Sequence, residues 1–147
     1  MMLLVSCDPG TKHCAFALFR NKKLIGYEKV KPTFKNIRDF FDNIEDDFEL
    51  VIEDQYLHLN PNTLVKLVTV RTMVVTLAKV AGAKNCVIVP PQRWQRTILG
   101  LHIKSKREQR KRVSLMVASS VAKETIKDND IADAICIGEY RLRVKAI

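Results

Sequence analysis

The sequence predicts a mixed, five-stranded α/β domain, and three observations carry that reading. Short apolar runs bounded by turn residues recur at the start and in the middle of the chain, as strands do. Longer stretches with apolar residues at helical spacing lie between and after them. The order is three strands, helix, strand, helix, strand and then helices, the pattern of a sheet flanked by helices.

Taken in order, Met2-Leu3-Leu4-Val5 is an apolar run of the kind that makes a buried strand. It leads to Asp8, and Pro9-Gly10 then turn the chain sharply. The runs Cys14–Phe19 and Leu24–Val30 flank Arg20-Asn21-Lys22-Lys23 and read as a hairpin with a basic turn, which makes the first three strands antiparallel. Phe34, Ile37, Phe40, Phe41 and Ile44, with charges between them, give an amphipathic helix after Pro32-Thr33. The short apolar strand Glu49–Glu53 again ends in a carboxylate.

Asn60 reads as an N-cap and Pro61 as the first residue of a helix that runs to about Ala81. That helix is apolar on more than one side, so it is either central to the core or shared with a second subunit. Cys86–Val89 is a strand stopped by Pro90-Pro91, and Gln92–Leu99 is a short helical segment ended by Gly100. A basic helix follows from about Ser105 to Ala122. The last begins near Asp128-Asn129 and turns Ile131, Ala134, Ile135, Ile137 and Leu142 inward. No repeat, low-complexity tract or linker interrupts residues 1–147, which read as one domain.

Composition narrows the class. A chain of 147 residues can bury a real core. No apolar run approaches membrane-spanning length and no leader with a cleavage site is visible, so the expectation is a soluble, cytoplasmic protein without a membrane partner. The four cysteines form no C-x-x-C pair, and Cys7, Cys86 and Cys136 sit in apolar runs, which favours reduced, buried thiols over a zinc or disulfide framework. The net charge of +9 favours a polyanionic partner, either nucleic acid or an anionic membrane surface. Bases crowd Arg93 to Arg112, where Glu108 is the only acid, so one face should be strongly positive. Phosphate contacts from such a face weaken by about 0.9 log unit per log unit of salt each, and they position DNA without reading its sequence.

The carboxylates carry the chemistry. Taken alone, Asp8 is either a strand-end turn residue or the first ligand of a site. Glu53 repeats the arrangement at a second strand end. Asp130 and Asp133 are three residues apart on one helical face, beside isoleucine and alanines. Helix-dipole compensation explains one acid in a first turn but not such a pair. Four converging carboxylates repel unless cations meet them, and hard divalent ions, Mg²⁺ or Mn²⁺, take such oxygen ligands. Two of these ions, about 3.5–4 Å apart, clamp the attacking and leaving oxygens of a phosphodiester. The residues alone therefore suggest a metal-dependent phosphodiesterase acting on nucleic acid.

Val5 to Leu18, with D-P-G-T at Asp8–Thr11, resembles the opening of the RuvC family of Holliday-junction resolvases. So does Val51-Ile-Glu-Asp-Gln-Tyr-Leu-His-Leu-Asn60, with the helix carrying Leu64, Lys66, Leu67 and Arg71, and so does Asp130-Ile-Ala-Asp-Ala134. The three motifs occur in order across nearly the whole chain. The resemblance implies an RNase H-like fold, Mg²⁺ with Mn²⁺ able to substitute, two ions per site, a homodimer, and symmetric nicking of four-way DNA junctions. It assigns the catalytic and metal carboxylates to Asp8, Glu53, Asp130 and Asp133, an essential lysine to Lys106 (or its neighbour Lys104), and a base-stacking aromatic to Tyr56. The apolar helix becomes the dimer element, with Leu64, Leu67, Val68, Arg71, Val74 and Val75 at the interface. Arg93, Arg96, Lys104, Lys106, Arg107, Arg110 and Lys111 form the expected DNA-binding set. Ala15 and Ala17 replace the glycines that usually flank the aromatic after D-P-G, and Gln95 stands where a lysine is usual. The short first half is similar to compact, phage-borne members, which implies the cytoplasm of a bacterium or phage-infected host.

Trp94 reads as a core residue, His13 and His58 have no ligand-type spacing and stay unassigned, and His102, in the loop after Gly100, reads as a backbone neighbour of the DNA and not a general base. Three rivals stay open: a less selective nuclease of the same fold that cuts flaps, forks and three-way junctions, an actin-like nucleotide-binding domain, and a non-catalytic junction binder.

Overall fold

The structure is a computed structural model, and it describes residues 2–54, 60–100 and 105–145. Five strands form one sheet: β1 (Leu3–Asp8), β2 (Cys14–Arg20), β3 (Lys23–Val30), β4 (Phe48–Glu53) and β5 (Asn85–Val89). Their spatial order is β3-β2-β1-β4-β5. β1, β2 and β3 pair antiparallel, whereas β4 and β5 add parallel to β1. The sheet is mixed, as the sequence predicts. Asn21 and Lys22 turn the β2–β3 hairpin with positive φ, the twist that two-residue hairpins favour.

Helices cover both faces. α1 (Phe34–Asp42) and α2 (Pro61–Val80) lie on one. α3 (Pro91–Trp94), α4 (Arg107–Ala122) and α5 (Asn129–Lys145) lie on the other. The helix starts follow the sequence signals: Thr33 Oγ1 accepts from the Asn36 amide at 3.2 Å, and Asn60 Oδ1 accepts from the Thr63 amide at 2.9 Å ahead of Pro61. After α3 one π-helical turn, Gln95–Leu99, runs into Gly100 at φ +65°.

Alternation along the strands divides the core in two. Leu3, Val5, Cys7, Phe16, Leu50 and Ile52 meet α1 and α2, while Leu4, Ala15, Ala17, Phe19 and Val51 meet α5 and its neighbours. On the α5 side, β4 also carries a buried acid. Glu49 accepts from Arg141 Nε at 2.5 Å and Lys145 Nζ at 3.1 Å, which ties the far end of α5 to the sheet.

Two expectations about the helices need correction. Val74 is fully buried at 0 % exposure in the chain's own core, together with Val70, Leu77 and Ala78. It is therefore no interface residue, because the second half of α2 packs on the sheet. Leu64, Leu67 and Val68 in the first half, with Arg71 and Val75, are half-buried. Phe34, read with the apolar stripe of α1, is 58 % exposed. It lines a groove with Val68, Thr69, Thr72, Met73, Thr76 and Leu77 of α2.

α5 crosses the sheet at close range through Gly138. A Cβ there would lie 2.1 Å from Phe19 Cε1 and 2.9 Å from Ser6 Oγ. Phe19 and Ser6 are themselves buried, so neither can swing away. Gly138→Ala should lower stability by about 1–3 kcal/mol, the usual cost of overpacking a tight core. Urea unfolding measures it, and an unchanged midpoint would contradict this packing.

Candidate active site

The two central strands end in carboxylates that lie side by side. Cys7 is in register with Ile52 across the parallel β1–β4 pair, so the residues that follow, Asp8 and Glu53, are neighbours at the same edge of the sheet. Leu4 and Val51 face α5, and alternation turns Asp8 and Glu53 the same way. The two carboxyls share a hydrogen bond. α5 supplies the other acids. Ser6 Oγ donates to the Ala134 carbonyl at 2.6 Å, which fixes the start of that helix beside the end of β1. Asp133 points to the same place, and Asp130 lies one turn earlier, more exposed.

The electrostatics follow from crowding. Burial lifts the Asp8 pKa well above the usual carboxylate range, and repulsion from Glu53, Asp133 and Asp130 lifts it further. Glu53 is pushed to about 8 by burial and by the Asp133 charge, against hydrogen bonds from Trp94 and Asp8. Asp133 rises to about 6 through burial and Asp130, although the Ser114 hydrogen bond and the charges of Lys111 and Arg110 pull it down. Among the described residues no lysine or arginine is ion-paired with Asp8, Glu53 or Asp133.

Three of the four acids each have one oxygen occupied by a protein donor. Trp94 Nε1 donates to Glu53 Oε2 at 2.6 Å, and Ser114 Oγ donates to Asp133 Oδ1 at 2.6 Å. Lys29 Nζ, from β3, lies 3.3 Å from Asp130 Oδ2 and 2.9 Å from Asp128 Oδ2. Asp128 also caps α5, its Oδ1 accepting from the Ile131 amide at 3.0 Å. Trp94 is in the core as expected, but its contact with Glu53, and the parts of Ser114, Lys29 and Asp128, have no counterpart in the motif reading.

The donor set fits a hard divalent cation. It is all oxygen, it is crowded with like charge, and among the described residues no lysine or arginine is ion-paired with its half-buried members Asp8, Glu53 and Asp133. The acids are neighbours rather than a finished cage: among the described residues, no three His, Cys, Asp or Glu side chains already stand at metal-ligand spacing. Asp8, Glu53, Asp130 and Asp133 are the residues that would hold the ion.

Protonation gives a test of this crowding. Glu53 and Asp133 bind protons more tightly folded than unfolded, so their contribution to stability is full below the unfolded values of 4.5 and 3.8. It is lost as pH rises through about 6 and about 8. In EDTA, thermal unfolding should therefore occur at lower temperature at about pH 8.5 than at about pH 5, and Mg²⁺ should restore more at the higher pH. A melting temperature that rises over this range, with no effect of Mg²⁺, would contradict the clustering.

The basic residues fall on the neighbouring elements. Arg93 and Arg96 are exposed on the segment that carries Trp94. Lys106 occupies the N-cap position of α4, and Arg107 and Lys111 are exposed on that helix. Arg110 is half-buried and donates to the Ser105 carbonyl. Arg110 and Lys111 are near enough to Asp133 to act on its charge. On α2, Arg71 pairs with Asp54, the residue after Glu53. Tyr56 and Lys104, with His58 and His102, lie outside the described residues.

Comparison with known proteins agrees with this architecture. A family model described as Lactococcus phage M3 protein matches residues 11–142. No curated protein sequence matches the chain. Among solved structures, Thermus thermophilus RuvC in complex with a Holliday junction substrate superposes with a TM-score of 0.78 at 16% identity, covering 99% of this chain and 95% of that one. A second T. thermophilus RuvC structure gives 0.72 at 16% identity, covering 98% and 97%. The Fowlpox virus resolvase, in a structure with its substrate Holliday junction DNA, gives 0.58 at 18% identity, covering 98% and 99%. The fold of this chain is thus the RNase H-like fold of RuvC that the motifs imply.

Proposed function

The chain belongs to the Lactococcus phage M3 protein family, and for it we propose a metal-dependent endonuclease that resolves four-way DNA junctions by nicking opposed strands as a homodimer. The observation that carries this reading is the meeting of Asp8, Glu53 and Asp133, with Asp130 beside them, at one end of the central strands, the first three without an ion-paired lysine or arginine among the described residues. The fold it shares with structures described as Holliday-junction complexes supports a branched substrate. Mg²⁺, two ions per site with Mn²⁺ as substitute, would supply Lewis-acid activation of water and of the scissile phosphodiester.

The chain's own groups do the remainder. Asp8, Glu53, Asp130 and Asp133 present oxygen ligands from two rigid strand ends and one helix. Lys106, with Lys104 as the alternative, stabilises negative charge developing on the phosphate. Arg93, Arg96, Arg107, Arg110 and Lys111 hold flanking phosphates and set the register of the duplex arms. Tyr56 stacks on an exposed base at the junction. Dimerisation through the first half of α2 places two such sites in two-fold symmetry, matching two strands of a junction. The setting is the cytoplasm of a bacterium or phage-infected host.

Incubation with a labelled four-way junction, with and without Mg²⁺, tests the proposal. Paired nicks, symmetric about the branch point and present only with the metal, are expected. Equal cutting of flaps and three-way junctions would replace it with the less selective nuclease, and binding without cleavage would leave a junction binder.

A further inference from the structure

The metal-ligand reading leaves unexplained why two buried, neutral donors reach into the acid cluster from outside the motifs. Trp94 and Ser114 are each 1% exposed. Each binds one carboxylate oxygen at 2.6 Å: Oε2 of Glu53 and Oδ1 of Asp133. Neither donor carries a charge that would compete with a cation for the carboxylate. Their places in the chain are also informative. Trp94 lies between Arg93 and Arg96, and Ser114 follows Arg110, Lys111 and Arg112 by about one helical turn on α4. α4 is bound to the start of α5 a second time, where Asn129 Nδ2 donates to the Lys111 carbonyl at 3.0 Å.

We propose that Ser114 and Trp94 are positioning residues that hold Asp133 and Glu53 in their metal-binding orientation and tie both to the basic segments that hold DNA. The inference rests on the metal-dependent nuclease reading and deepens it. A merely structural serine in a helix interior would be replaced by alanine at little cost, since alanine is the better helix former. Freed of its donor, the Asp133 carboxylate can rotate about its side-chain torsions, so ligation must first order it. Partners of this kind are typically worth about 10–100-fold in metal affinity.

Ser114→Ala is the decisive variant, because it deletes one oxygen and keeps the helix. Mn²⁺ binding to the DNA-free protein is measured by calorimetry, beside the Mg²⁺ concentration that half-saturates junction cleavage. Both constants should rise by about tenfold or more, while junction affinity in EDTA stays near the parent's and the protein remains folded. Ser114→Thr, which retains the hydroxyl, should recover most of the loss. Trp94→Phe should shift the metal dependence the same way, and Ser114→Ala gives the answer even where the tryptophan variant fails to fold. A parent that binds Mn²⁺ and a Ser114→Ala protein that binds it within twofold would overturn the positioning role alone. A parent that takes up no Mn²⁺ and cuts nothing would overturn the nuclease reading, and this inference with it.

Discussion

Asp8→Asn should leave a folded protein that still binds a four-way junction but cuts it at least about a thousandfold more slowly, because electrostatic stabilisation is usually the largest catalytic contribution. The substitution is nearly isosteric and removes one negative charge from the middle of the acid cluster. Its effect on stability should run the other way. Burial and three neighbouring acids lift the Asp8 pKa, so a carboxyl at this position costs the metal-free fold stability as pH rises. The amide relieves that repulsion, and the variant should melt at higher temperature than the parent in EDTA. Activity and stability are then opposed at one residue, as strained functional sites often show. Single-turnover cleavage and thermal melts check the two halves. Parental cleavage by Asp8→Asn in Mg²⁺ would remove Asp8 from the ligand set.

The second large effect separates the two halves of α2. Val74→Asp should fail to give folded protein, because it places a carboxylate in a fully buried apolar position. Such changes cost upward of about 4 kcal/mol, a large part of a domain's total stability of about 5–15 kcal/mol. Val68→Asp, on the half-buried and earlier part of the same helix, should fold and yield monomers that bind the junction weakly. Sedimentation and circular dichroism on the two proteins decide this. A folded Val74→Asp protein would contradict the core packing, and a dimeric, fully active Val68→Asp protein would move the interface elsewhere.

Much of the architecture is legible in local signals. The strand runs, the caps at Thr33 and Asn60, and the stop at Gly100 depend on a few adjacent residues each. Asp8 and Glu53 are legible for a related reason: each ends an apolar run, and a carboxylate there calls for a partner. Asp130 and Asp133 are legible as a pair by helical spacing. The residues that were not legible act across long separations. Trp94 reaches Glu53 over 41 positions, Ser114 reaches Asp133 over 19, and Lys29 reaches Asp128 over 99. No periodicity or motif marks such contacts, since they exist only once the sheet and α5 are in place. Val74 illustrates the opposite failure. A helix that is apolar on several sides does not say which side is inward, and the sheet claims the second half of α2. Phe34 fits the α1 stripe but, at its first residue, stays largely exposed and lines a groove with residues of α2.

The central claim is that the acids at the ends of β1 and β4 and the start of α5 form one metal site. An anomalous difference map from crystals soaked in Mn²⁺ tests it most directly. The account predicts density ligated by Asp8, Glu53 and Asp133, lost in crystals of Asp8→Asn. Mn²⁺ bound elsewhere on the chain, with these three carboxylates making no contact to it, would contradict the account.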